Sequence, residues 1–451
     1  MRTSLMLLLC LLGGQVALAQ SSRPASRPAT MPSKLRKAAV VRSKPIQAKS
    51  APAKPVQPVE DWTALQLRSA CTRGHLAACT FWGHRLRFGV GVKADPALAY
   101  KVLSGACQKK YGAACFRLGH LLAYSRAFAQ RRSDSVKAWT SGCLAKHGKS
   151  CVELGLRWYR RGRTERGAWK HSRIWFAKAC GLKEARGCYF LGILTQRGRG
   201  QKASPADALP FFRKACLLHH GDSCSQVGFA YFYGRPPVSR DHKKALRWYL
   251  RSCQLKLGYG CRRAALVFHK GRGVQRDLAQ AVHYYRLSCT LKDRIACNEL
   301  GKLLFSGKGE LADKKQAGEA FRRACRMRHR VACSNMGLLY ELGKGLPVNP
   351  ALALRAYRRA CDLRDGIGCT KAGLMYQYGR KGIKPRCPLA VRFLRLGCRR
   401  RDGVACNQLG VMHQLGGCVF QDARQAQFYY RRACRLRTRE GCDNNRRLRS
   451  R

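Results

Sequence analysis

The chain carries 25 cysteines, and 22 of them stand in pairs eight positions apart: Cys71 and Cys79, Cys107 and Cys115, Cys143 and Cys151, Cys180 and Cys188, Cys216 and Cys224, Cys253 and Cys261, Cys289 and Cys297, Cys325 and Cys333, Cys361 and Cys369, Cys398 and Cys406, Cys434 and Cys442. Thiols at a fixed spacing either oxidise to disulfides or ligate a metal. Zinc calls for short C-x2-C knuckles or clustered histidines, and the chain has neither. The pattern therefore predicts local disulfides, with no metal and no cofactor. Each would close a loop of about nine residues, worth about 2.5 kcal/mol in the chain-entropy description. Cys387 and Cys418 stand outside the series. They fall near the starts of equivalent helices in consecutive units, which predicts a twelfth bridge; two free or partner-linked thiols are the alternative.

Other chemistry is harder to find. A hydrolase needs a nucleophile held against a base, or a metal-activated water. The sequence holds no S-x-x-K, S-D-N, K-T-G, G-x-S-x-G or H-E-x-x-H motif. Even His219-His220 falls in a turn between helices, so no catalytic residue is assigned. The basic residues are patterned: Arg213-Lys214, Arg322-Arg323, Arg358-Arg359 and Arg431-Arg432 all occupy the third and second positions before the first cysteine of a pair. Those positions fall between core positions of a helix, so they face outward as a candidate anion-binding stripe. A merely solvated face is the alternative.

The elements that must position these residues repeat. Successive cysteine pairs begin 36 or 37 residues apart, a period that marks a stacked repeat array. Before the first cysteine, small or aromatic residues recur at −8, −5, −4 and −1, as in Ala281, Tyr284, Tyr285 and Ser288 before Cys289. That is one face of an α-helix. After the second cysteine, +3, +4 and +7 form another, as in Leu300, Gly301 and Leu304. A glycine at +4 in nine units, replaced by Ala265 in one, predicts close approach of a neighbouring helix. Glycine pairs such as Gly198-Arg199-Gly200 and Gly307-Lys308-Gly309 end the second helix, and Asp95-Pro96 or Asn349-Pro350 opens the next.

The segment RRACDLRDGIGCTKAGLMYQYG from Arg358, with its equivalents, resembles the Sel-one-like repeat in the cysteine-paired form of the Helicobacter cysteine-rich proteins. The resemblance covers residues 61–451. It implies an all-α fold, a right-handed α/α superhelix of about eleven 36-residue hairpins related to tetratricopeptide arrays. It also implies a protein-interaction role, with penicillin binding and weak β-lactam hydrolysis as the alternative activity. Asn445 and Arg446 replace the Leu-Gly of the last unit, which predicts a polar closing helix.

Residues 1–19 read as a signal peptide, with Ser4–Leu12 as a short apolar run and Ala17-Leu18-Ala19 as its cleavage site. Residues 20–60, rich in Pro, Ala, Lys and Arg, read as a disordered linker. Export, to the periplasm or out of the cell, follows. The whole chain has 89 Lys and Arg against 23 Asp and Glu, a net charge of +66. With 46% hydrophobic residues it is no disordered basic tail. A protein or peptide ligand or an anionic envelope polymer is the expected partner; no nucleic-acid motif accompanies the charge. A strong reductant is predicted to lower the melting temperature while EDTA leaves it unchanged. The opposite pattern would return the cysteines to metal.

Overall fold

The computed structural model describes residues 58–307 and 312–449. The segment read as a signal peptide, Cys10 and the segment read as a linker, as far as residue 57, lie outside them. The described residues form 22 α-helices and no strand. The first helices of the cysteine pairs are α1 (Ala64–Thr72), α3 (Pro96–Gln108), α5 (Asp134–Leu144), α7 (Ala168–Gly181), α9 (Pro205–Leu217), α11 (His242–Gln254), α13 (Leu278–Thr290), α15 (Lys314–Arg326), α17 (Pro350–Asp362), α19 (Cys387–Arg399) and α21 (Ala423–Arg435). The second helices are α2 (Leu76–Phe88), α4 (Gly112–Tyr124), α6 (Gly148–Arg161), α8 (Ala185–Gln196), α10 (Gly221–Tyr233), α12 (Gly258–Lys270), α14 (Arg294–Ser306), α16 (Arg330–Leu342), α18 (Gly366–Tyr378), α20 (Gly403–Leu415) and α22 (Arg439–Arg449). Each helix packs on the next in sequence, the order of an α/α superhelical solenoid. A 3-10 turn occupies Val59–Asp61, and its Glu60 carbonyl accepts from Arg85.

Two contacts alternate along the stack. The first joins the two helices of a cysteine pair through their disulfide. The second, the more extensive, joins a second helix to the first helix of the next pair. There the glycine at +4 meets the residue at −4: Gly155 faces Phe176, Gly192 faces Phe212, Gly228 faces Tyr249, Gly301 faces Phe321, Gly337 faces Tyr357 and Gly410 faces Tyr430. A Cβ on Gly337 would stand 2.7 Å from the Tyr357 ring, and one on Gly301 2.7 Å from that of Phe321. The −4 side chains are nearly the most enclosed in the molecule, with Phe176, Tyr249 and Tyr430 at 0% exposure. Burying each contributes roughly 1.5–3 kcal/mol.

Helix starts use eight of the acidic residues. Asp95, Asp241, Asp277, Asp313 and Asp422 cap first helices, each accepting from the backbone N–H three residues on at 2.8–2.9 Å. Asp293, Asp365 and Asp402 cap second helices: Asp365 accepts from the N–H of Gly368, Asp402 from that of Val404, and Asp293 from those of Ile295 and Ala296. Glycines 89, 198, 271 and 343 end their helices in the left-handed region, as C-terminal caps do. Gly307 departs from the predicted turn: it is extended, with φ −60° and ψ 156°. The array is irregular after α4, where a 3-10 segment, Arg126–Arg131, stands in place of the glycine turn.

Gly337→Ala is predicted to destabilise the protein by about 1–3 kcal/mol through overpacking against Tyr357. Gly105→Ala, where nothing lies within 4 Å of the new Cβ, should instead stabilise by about 0.5–1 kcal/mol, since only helix propensity changes. Denaturant melts compare the two, and equal effects would refute the interlock.

Candidate functional site

All eleven eight-spaced cysteine pairs are joined, with Cα–Cα separations of 4.5–4.8 Å. Cys387 is joined to Cys418, Cα–Cα 4.8 Å. That bond sits where capping fails. The residue before α19 is Arg386, which makes no side-chain cap, and the covalent link ties the helix start to the connection before α21.

The four basic pairs lie on α9, α15, α17 and α21, close to the C-terminal end of each helix. Arg213, Lys214, Arg323, Arg358, Arg359 and Arg431 are exposed; Arg322 and Arg432 are half-buried. The structure does not bring all four together, because α11 and α13 intervene between α9 and α15 with Leu250 at −3 and Leu287 at −2. Continuity belongs to −3 alone, where Arg286, Arg322, Arg358, Arg395 and Arg431 occupy five successive first helices.

A longer column escaped sequence reasoning. Three residues after the first cysteine stand Lys110, Lys146, Lys183, His219, Lys256, Lys292, Arg328, Arg364, Arg401 and Arg437, one in each of ten successive units and all exposed. Every one has a positive φ, between 57° and 66°. Glycine or asparagine ordinarily ends a helix in this conformation, and a longer side chain there is strained. The first unit does use glycine, Gly74. A cation beside a helix C-terminus recovers about 0.3–1 kcal/mol from the helix dipole, which offsets part of a strain of roughly 1–2 kcal/mol. The fixed offset was the available signal; no local motif marks it. Replacing Lys256, Lys292 and Arg328 by glycine is predicted to hold or raise the melting temperature while weakening retention on an anionic matrix. A marked loss of stability would show that these side chains serve the fold.

Several other cations are committed to the structure. Arg263 is enclosed by Phe232, Tyr249 and Tyr259 and donates to the hydroxyls of Tyr233 and Tyr249. Arg131 is engaged by Tyr100 and Asp134 in a cavity of about 730 Å³ between α3 and α5. Serine–histidine contacts occur at His147–Ser150, 3.0 Å, and His220–Ser223, 2.9 Å. Both serines are fully buried, and both pairs sit at the starts of second helices. His220 Nδ1 also accepts from the Ser223 backbone. These contacts organise helix starts and expose no nucleophile.

His120 lies 3.8 Å from Glu153, and burial, with Arg87, Arg117 and Arg186, pushes its pKa down to about 4. Burial, then Lys149 and Arg117, pushes His147 down to about 4 as well. The unfolded chain therefore binds more protons at these two sites between about pH 6.5 and pH 4, and their stabilisation is lost as pH falls through that window. Glu153, raised by burial, acts in the opposite sense. Acidification from pH 7 to pH 4 is predicted to lower the melting temperature, and His120→Gln with His147→Gln to flatten that fall. An unaltered slope in the double variant would refute the assignment.

The Sel1 repeat family model matches residues 76–101, 185–220, 221–257, 258–293, 294–329, 330–365, 367–402 and 403–437. Its repeat frame runs from a second helix through the next first helix, so disulfides such as Cys216–Cys224 cross from one matched repeat to the next. A protective antigen of uropathogenic Escherichia coli displaying an SLR fold aligns with 86% of this chain and 91% of its own, at 20% identity and a TM-score of 0.56. Cysteine rich protein B of Helicobacter pylori is 30% identical over 28% of this chain and 90% of its own, with a TM-score of 0.24. Cytochrome c oxidase assembly factor 7A of Xenopus laevis is 32% identical over 104 residues, 22% of this chain, and the match spans 45% of that relative's length. No helix among the described residues is long and apolar enough to cross a membrane, and the many disulfides fit an oxidising extracytoplasmic environment. Since the family model covers more than half of its length, the chain belongs to the Sel1 repeat family.

Proposed function

We propose that the protein is an exported interaction scaffold that holds an anionic partner along the first-helix side of its solenoid, in the periplasm or outside the cell. The observation that carries this reading is the column of ten basic or histidine residues kept in a conformation that favours glycine. The −3 arginines supply a second, parallel column over the C-terminal half. From Asp61 onward the chain has 79 basic and 22 acidic residues, a net charge near +57, and eight of those acids are committed to helix caps. Helical repeats present one side chain per unit at regular intervals, which suits an extended ligand. The name of the matched Xenopus laevis relative, an assembly factor, agrees with a scaffold role. Export rests on the segment 1–19 together with the disulfides.

The test replaces Arg213, Lys214, Arg322, Arg323, Arg358, Arg359, Arg431 and Arg432 with glutamine. Retention on an anionic matrix and on isolated envelopes is then measured across a salt series. Earlier elution with a shallower salt dependence is the expected result. Unchanged retention with an unchanged salt slope would reduce these residues to a solvated face.

A further inference from the structure

The cationic face is not uniform. Between Pro350 and Arg449 there are 23 Lys and Arg against 6 Asp and Glu. Four of those acids are engaged: Asp365, Asp402 and Asp422 cap helices, and Asp443 pairs with Arg446.

Three clefts follow one another on this stretch. One, of about 650 Å³, lies along α17 and the connection into α19 and is lined by Arg355, Arg358, Arg359, Lys384 and Arg386, with a single carboxylate, Asp362, among these five cations. The next, about 420 Å³, runs along α19 beside the Cys387–Cys418 bond and is lined by Arg392, Arg395 and Arg399. The third, about 500 Å³, lies on α21 and is lined by Arg401, Arg424, Arg431, Arg432 and Arg435. Apart from half-buried Arg432, the arginines of the second and third clefts are exposed. Among the described residues, none of the arginines lining the three clefts forms an ion pair.

Like charges three and four positions apart on a helix repel. Arg392 with Arg395, Arg395 with Arg399 and Arg431 with Arg435 are such pairs, and among the described residues no carboxylate forms an ion pair with them. An external anion would. Guanidinium is planar and always charged, and its fork matches a carboxylate with two parallel hydrogen bonds. In the second and third clefts arginine is the only cationic residue type.

The shape of the surface selects among polyanions. Single-stranded nucleic acid is held by aromatic platforms on which successive bases stack, and in these three clefts the one well-exposed aromatic side chain is Phe428. A protein surface is anchored by apolar side chains at the centre of a patch, whereas arginines dominate these clefts. A linear sugar chain needs neither. It needs charged forks at intervals, with spare N–H groups for ring hydroxyls, and the three successive hairpins supply one set each.

We propose that the clefts along α17, α19 and α21 form one continuous binding site for a linear acidic polysaccharide, whose carboxylates pair with the arginines that form no ion pair within the fold. The proposal rests on the anionic-partner reading above and locates it.

The test uses the full mature chain and polygalacturonate as probe, in two variants that each remove five charges. The site variant carries Arg392→Gln, Arg395→Gln, Arg399→Gln, Arg424→Gln and Arg435→Gln, all outside the four basic pairs. The control carries Lys93→Gln, Lys101→Gln, Lys109→Gln, Lys149→Gln and Lys170→Gln in the N-terminal hairpins, all outside the left-handed column. Circular dichroism confirms that both are folded. At moderate salt the site variant should bind at least tenfold more weakly than wild type, and the control within threefold. Equal losses in the two variants would overturn the located site while leaving a diffuse cationic field in place. Tighter binding of polyglutamate or of single-stranded DNA than of polygalacturonate, lost in the site variant, would overturn the polysaccharide as occupant. Wild-type protein that binds none of these polymers would overturn the anionic-partner reading itself.

Discussion

The fold depends on two unlike joints used in strict alternation. At one, a glycine lets the Phe, Tyr, Trp or Leu of the next first helix lie against a helix backbone, as Gly337 does for Tyr357. At the other, a disulfide clamps two helices whose Cα atoms stand under 5 Å apart. The first joint is apolar, buried and responsive to single methyl groups. The second is covalent and indifferent to packing. A solenoid has no central core that could compensate for a weak interface, since each unit touches little beyond its neighbours. Alternation answers that weakness: every helix between the ends of the stack has one packed neighbour and one bonded neighbour. At α19, one of several helices whose start has no side-chain cap, a further disulfide, Cys387–Cys418, adds a covalent link to the connection before α21.

Placement of acids explains how so basic a chain stays folded. Eight aspartates sit at helix N-termini, where each satisfies a free backbone N–H and meets the positive end of the helix dipole. Their negative charge is used locally, at the helix ends. The long cationic side chains stand elsewhere, on the exposed faces and at the C-terminal ends of the first helices, where the dipole favours positive charge. Stability and surface charge are thereby separated by position within each repeat. The first set holds the hairpin in shape; the second is left for solvent or a partner.

Much of this was legible in the sequence because a repeat prints the same message many times. The −8, −4 and −1 positions read as core are Ala281, Tyr285 and Ser288, and all three are buried; Tyr284 at −5 is half-buried. The small residue at +4 announced a close approach, but not which side chain approached. Its partner lies in the following unit, and only the packing order of the helices identifies it. The left-handed column was hidden for a different reason. Its residues are ordinary Lys and Arg in a chain full of them, while the conformation normally calls for glycine, so neither composition nor motif singled them out. Gly307 shows the converse, a glycine in a turn pattern whose backbone is extended. The clefts on α17, α19 and α21 were beyond sequence reasoning as well, because they arise from the space left between stacked helices.

Rigidity gives these surface charges their meaning. A cation on a flexible chain contributes to a diffuse field that salt screens over about 10 Å at 0.1 M. The same cation fixed at a helix end, in a unit clamped to both neighbours, keeps its place relative to the equivalent cation one repeat away. Less side-chain and backbone freedom then remains to be lost when a ligand is bound. Uniform repeat length adds the second condition: with units of 36 or 37 residues, equivalent positions recur in regular order along the stack, so a ligand with regularly spaced charges can engage several units at once. A multi-unit contact of this kind gains effective concentration at every step without needing a deep pocket at any. An array stapled by disulfides is suited to a shallow, repetitive, charged ligand, and far less to a compact one that needs a single enclosed site.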